Sequence, residues 1–226
     1  MSSPTNEDFD KLRRAYSVVL DQISHKLDQL QQDKLRFYCS RLIPTEDRGS
    51  LNILRSLEHS DKISWANVNF LKEALRAIGR CDLAKLLETF EVRRNLTLLL
   101  DFYARERLEE DPVYVPLSLK TTARHLLTVV TENEHESCRF DGTRMRSLVE
   151  ANKNILQVFE EEVDVRSGVN SPWSKLTMLV IIAGEIIVAA QASRSDDIRR
   201  NEMLEKCFSF VEMLSYRMLE LGSWVS

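Results

Sequence analysis

An all-α fold is predicted by three observations. Apolar residues recur at steps of three and four through most of the chain, the spacing that lines one face of a helix. The 226 residues include only 6 Gly and 5 Pro, too few turn formers for a many-stranded sheet. With 43% hydrophobic and 29% charged residues, the composition is that of an ordinary folded protein and not of a disordered one. The length suits two small domains or one large one, and either can bury a core.

Phe9, Leu12, Tyr16, Val19, Leu20, Ile23 and Leu27 set the first helix. Leu35, Tyr38, Cys39 and Leu42 repeat the pattern and place a second helix with these four side chains in the core. Pro44 stops it, because proline disfavours helical geometry in the residue before it. "TEDRGS" is a polar loop with room for one helical turn, and Leu51, Leu54 and Leu57 mark a short helix after it. Ser64 is a natural N-cap for the next helix, whose stripe is Val68, Leu71, Ala74, Leu75 and Ile78 and whose stop is Gly79. From Cys81 to Phe90, Leu83, Leu86, Leu87 and Phe90 share a face. Residues 8–92 therefore read as five helices, with a sixth, very short one in the loop.

Leu96, Leu99, Leu100 and Tyr103 carry the helical pattern across residues 93–110, a connecting helix that closes in "ERLEED" ahead of Pro112. "DPVYVPLS" breaks the periodicity with two prolines and marks a domain boundary, so that residues 111–226 form a second helical domain. Ala123, Leu126, Leu127 and Val130 mark one of its helices, and Met145 to Val163 another. From Leu176 to Ala190 nearly every position is apolar, so this central helix is buried on all sides. The run is about 15 residues against the roughly 20 of a bilayer span, and no membrane span is expected. Glu185 in its middle is costly to bury unless it is paired, and is expected to reach an arginine or the edge of the core. Met203, Cys207, Phe210, Leu214 and Leu221 give the last helix, which ends at Gly222.

The net charge of -4, with acids and bases interleaved, offers no phosphate-tracking surface, which sets nucleic acid aside. "MSSPTNEDFD" is polar and acidic, unlike a secretory or transit segment, and a cytoplasmic location is expected. Cys39, Cys81, Cys138 and Cys207 are too widely spaced for a disulfide framework or paired metal knuckles. No phosphate-binding glycine loop, nucleophile elbow or isolated carboxylate pair is present, so neither an enzyme nor a cofactor is expected. His135 and Cys138 have the spacing of two metal ligands, but a zinc site takes about four and no second pair follows. His25, His59 and His125 lie in polar helical surroundings and read as solvated imidazoles.

One short motif has two readings. In Arg80-x-Asp82-Leu83, Asp82 is a favourable carboxylate in the first turn of a helix, with Arg80 just outside to pair with it. The same pair can also be a recognition surface. Phe37 lies about 200° around its helix from Leu35, off the buried stripe, which presents an aromatic ring to water. An exposed aromatic among charges is the composition of a partner surface.

The order of helices over residues 8–92, the stretch "KLRFYCSRLIP" and Arg80-x-Asp82-Leu83 together resemble a death effector domain, as in the adaptor FADD and the initiator caspases. The resemblance implies a six-helix bundle of the death fold, with Arg80 and Asp82 in a charge triad and Phe37 in a hydrophobic patch of the second helix. The third triad member is an acid early in that helix. Here that position holds Gln31, leaving Asp33 or Asp28 as substitutes, and Asp33 is taken. Leu83 and Tyr38 complete the implied partner-binding set. The function implied is that of a non-enzymatic adaptor or regulator of apoptotic signalling. Its partners would be other death effector domain proteins, FADD-like adaptors and initiator caspases, with self-association compatible with the same surface.

Residues 111–226 resemble the Bcl apoptosis-regulator family at Gly168, Val169, Asn170 and Trp173, ahead of the apolar helix, and at the closing "LGSW". Ser171 and Pro172 interrupt the first stretch, and Lys175 stands where an arginine is usual. This resemblance implies an alternative: a groove that binds amphipathic helices, with the N-terminal domain serving localisation.

Overall fold

Helix α1 spans Pro4–Lys26 and turns Leu12, Tyr16, Leu20 and Ile23 inward, three or four residues apart as the sequence pattern requires. It belongs to a computed structural model that describes residues 4–44, 49–110, 115–133, 147, 172–192 and 197–220. Regular structure among these residues is helical throughout, apart from one isolated bridge between Ser64 and Asn67. The chain divides into two compact units, Met1–Glu91 and Val92–Ser226.

In the first unit α1 is followed by α2 (Gln29–Cys39), α3 (Ser50–His59), α4 (Asn69–Ala77) and the start of α5 (Cys81–Leu108). Helix α1 packs on α3 and α2 on α4, around a core that includes Ile23, Leu35, Leu54, Leu57, Leu71, Leu75 and Leu87. Cys39 is part of this core, and burial pushes its thiol up to about 11, a packing group and not a reactive one. The ion pairs Lys72–Glu91 and Arg76–Glu88 join α4 to α5 along their outer edge.

Several boundaries differ from expectation. Ser64 does not cap the fourth helix. Its hydroxyl instead accepts from the Asn67 N–H at 3.2 Å within the bridged turn, and α4 begins at Asn69 with Val68 in the cap position. Helix α2 ends at Cys39 rather than at Leu42, because Ser40 already turns its N–H to the Phe37 carbonyl. Tyr38 is not a core residue. Its ring is 44% exposed and lies against Phe70, with the centroids 6.1 Å apart. Gly79 does end α4: with φ at +82° it sits in the left-handed region, its N–H reaches the Arg76 carbonyl and the Arg80 N–H reaches that of Leu75. This is a Schellman ending, and it fixes where Arg80 begins its side chain.

The last helix of the first unit and the connecting helix expected over 93–110 are one element, α5, which runs unbroken to Leu108. Nothing in the sequence from Phe90 to Arg94 is a helix breaker, since neither glycine nor proline occurs there. The second unit holds the later part of α5 together with α6 (Leu117–Asn133), α7 (Pro172–Ala192) and α8 (Asp197–Glu220). Helix α7 packs on both α8 and α6. Every residue from Leu179 to Ile186 is buried, as a helix without a polar face demands. Glu185 is paired within this core. Its Oε1 accepts from the Tyr103 hydroxyl at 2.5 Å and lies 3.2 Å from Arg107 Nε. Gly184 makes room for this arrangement, since a Cβ placed there would stand 2.6 Å from Tyr103 Cδ1. The helix expected from Met145 to Val163, apart from Ser147, the His135/Cys138 pair and the stretch Gly168–Ser171 lie outside the described residues. Among the described residues no helix is long and apolar enough to cross a membrane.

Candidate functional site

The Schellman ending at Gly79 delivers Arg80 to the point where α5 begins, and the Arg80 carbonyl accepts from the N–H groups of Leu83 and Ala84 at 3.1 Å each. Asp82 occupies the first turn of α5, where a carboxylate complements the helix end. The Arg80 guanidinium grips it as a fork, Nε to Oδ1 at 2.8 Å and Nη2 to Oδ2 at 2.7 Å. Its third nitrogen turns inward. Nη1 donates to the Lys26 carbonyl, at the last residue of α1, and to Gln31 Oε1 in α2, both at 2.5 Å.

Gln31 is held in turn by a capping box. The Asp28 carboxylate accepts from the Gln31 N–H at 2.8 Å, and Gln31 Oε1 accepts from the Asp28 N–H at 3.1 Å. Asp28 thus caps α2 while Gln31 serves both the cap and Arg80. Asp33 does not join the cluster, since its recorded bond is to Gln29, one turn back on the same helix. The third position is therefore filled by a neutral amide, with Asp28 contributing only at longer range to the charge around Arg80. The missed role of Gln31 had a sequence signal, an acid followed three residues later by glutamine at a helix start.

The two charges of the motif are unequally exposed. The Asp82 side chain is 62% exposed and that of Arg80 only 15%. Leu83, placed among partner-binding residues, is 1% exposed and packs in the core, where it anchors the start of α5. The fork from Arg80, and then its charge, hold the Asp82 carboxyl down at about 2, while the same hydrogen bond raises Arg80 further. A carboxyl depressed on folding stabilises above its unfolded value near ~4 and loses that contribution as pH falls towards 2. Carboxylate NMR on the full chain should accordingly find the Asp82 midpoint near 2. With Arg80→Lys, which removes the fork, the midpoint should rise towards the ordinary ~4; an unmoved midpoint would show that the fork is absent in solution.

On α2, Phe37 is 83% exposed, and Leu30, seven residues earlier and on the same helical face, is exposed too. Asp33 lies between them in sequence, and the half-exposed Tyr38 packs against Phe70. Leu30 was legible in the same way as Phe37, as an apolar residue off the buried stripe. Among the described residues, no group of His, Cys, Asp and Glu is arranged to hold a metal ion.

Compared with models of known families, residues 16–93 match the death effector domain. This segment is a death effector domain. The match covers about a third of the chain and speaks for that part alone. No curated protein and no solved structure matches the chain. Death effector domains are protein-interaction domains and engage other death-fold domains. An exposed phenylalanine on such a domain leads to a separable expectation. Phe37→Ala should cost well under the roughly 3–5 kcal/mol of a buried phenylalanine and still weaken partner binding. Denaturant unfolding of the full chain reads the first quantity; a loss of several kcal/mol would place the ring inside.

Proposed function

We propose that the chain is a non-enzymatic adaptor or regulator of apoptotic signalling. Its death effector domain, over residues 8–92, pairs with other death effector domains, among them FADD-like adaptors and initiator caspases. The observation that carries this reading is the nearly bare Phe37 ring on the matched domain, a large apolar group that contributes nothing to its own core. Leaving such a group in water costs the burial free energy it would gain elsewhere, of the order of 1.5–3 kcal/mol, and a partner surface recovers it. Arg80, Asp82 and Tyr38 belong to the same interaction role, and residues 93–226 are the helical part that this domain carries. A cytoplasmic location accompanies this role.

The test is a panel of isolated death effector domains titrated against the immobilised full chain, wild type and Phe37→Ala. Binding of at least one member, weakened by the substitution, is expected. A wild-type chain that binds no member would end this reading. The groove-binder alternative gains no support, since Gly168–Ser171 fall outside the described residues.

A further inference from the structure

The reading above treats Arg80 and Asp82 as one surface, but the geometry gives them different tasks. We propose that the recognising group is the Asp82 carboxylate, that Arg80 is its positioning residue, and that the partner supplies a cation, a guanidinium or an ammonium. This rests on the proposed pairing of death effector domains and deepens it.

An arginine has five N–H donors. In Arg80, Nε and one N–H of Nη2 hold Asp82, and Nη1 holds the Lys26 carbonyl and Gln31, so four of the donors are committed within the domain. For an incoming carboxylate to be gripped bidentately, at least one of these bonds would have to break, on a side chain that is largely covered. Asp82 is in the opposite situation. Each of its oxygens accepts once from Arg80, the backbone N–H of Leu83 also turns to the carboxylate, and the group still stands mostly in water. A partner cation can approach this carboxylate from the water side with the Arg80 fork still in place.

The surrounding charges set the reach of this contact. Asp28, exposed at the cap of α2, adds a second carboxylate near Arg80, and Gln31 adds none where it meets the guanidinium. Lys26 and Lys85 are exposed and of opposite sign, Lys26 beside the cluster and Lys85 one turn further along α5. There is thus no broad negative field to attract a basic surface from a distance. Recognition depends on a short contact at Asp82, and conservative changes there should be felt.

The experiment uses the full chain and the panel member that binds it most tightly. Asp82→Asn keeps one carbonyl oxygen for Arg80 and removes the charge; the affinity of the folded chain should fall at least about tenfold, while the unfolding midpoint falls only by the small contribution of an exposed pair. Asp82→Lys should fall further, and Lys→Glu or Arg→Glu substitutions scanned over the partner should include one that restores binding to it. Arg80→Lys should weaken binding and shift the Asp82 titration midpoint together, which a merely structural role would not link. Unchanged affinity for Asp82→Asn overturns the proposal, as does restoration by an acid-to-lysine change in the partner in place of a base-to-acid one. A wild-type chain that binds no panel member removes the underlying reading and this inference with it, whereas wild-type binding indifferent to Asp82 removes this inference alone.

Discussion

Gly184→Ala should lower the melting temperature of the full chain by about 10 °C. An exposed helical Gly→Ala change usually gains about 1 kcal/mol, so the sign is decided by what the new methyl meets. Here it would stand 2.6 Å from Cδ1 and 2.7 Å from Cε1 of Tyr103, a ring that is itself 1% exposed and cannot swing into water. Overpacking of this kind costs about 1–3 kcal/mol. Displacing the ring also pulls its hydroxyl from Glu185, leaving a buried acceptor short of a donor at about 1–3 kcal/mol more. A net loss of ~3 kcal/mol corresponds to roughly 10 °C in a chain of this size. Calorimetry should show the loss in the transition of the second unit. An unshifted or raised midpoint would mean that Tyr103 does not lie over Gly184.

Arg107→Ala should be the other severe substitution. Glu185 is a buried carboxylate whose charge is met by Arg107, and removing the partner of a fully buried charge costs about 3–5 kcal/mol. Arg107 keeps about a third of its side chain in water, which screens the pair, and ~2–3 kcal/mol is the expected loss. Adding Glu185→Gln to that variant should recover part of it, because the amide is neutral and still accepts from Tyr103. Urea unfolding of the two single variants and the double variant reads the coupling directly. Additive losses would show that the charges do not meet.

Both predictions concern groups whose partners lie far off in sequence, and that marks the limit of what periodicity reveals. The helices of the first unit were legible because apolar spacing records burial directly, and Phe37 was legible as the residue that broke it. The all-apolar run showed its own burial, and Glu185 within it declared a need for an arginine without naming Arg107. Tyr38 was misplaced because an apolar stripe does not say how wide the covered arc is, and Phe70, which shields one side of the ring, is about thirty residues away in the chain. Leu83 was grouped with the charges it adjoins, although it shares the buried stripe of Leu87 and Phe90. Asp33 was preferred for its charge, whereas geometry selected Gln31, whose amide can accept from a backbone N–H and from an arginine at once. The unbroken α5 was read as two pieces, the last helix of residues 8–92 and a connecting helix over 93–110, although no breaker residue interrupts it.

The Arg80 side chain touches the last residue of α1, the first turn of α2 and the first turn of α5, while its own backbone N–H closes α4. Four helix ends meet on a single residue. Helix ends ordinarily fray one by one, each with its own small opening free energy. Here three of them share the Arg80 guanidinium and the fourth is closed by the Arg80 N–H, so none can loosen without withdrawing a partner from that one residue, and the corner opens as one cooperative unit or stays shut.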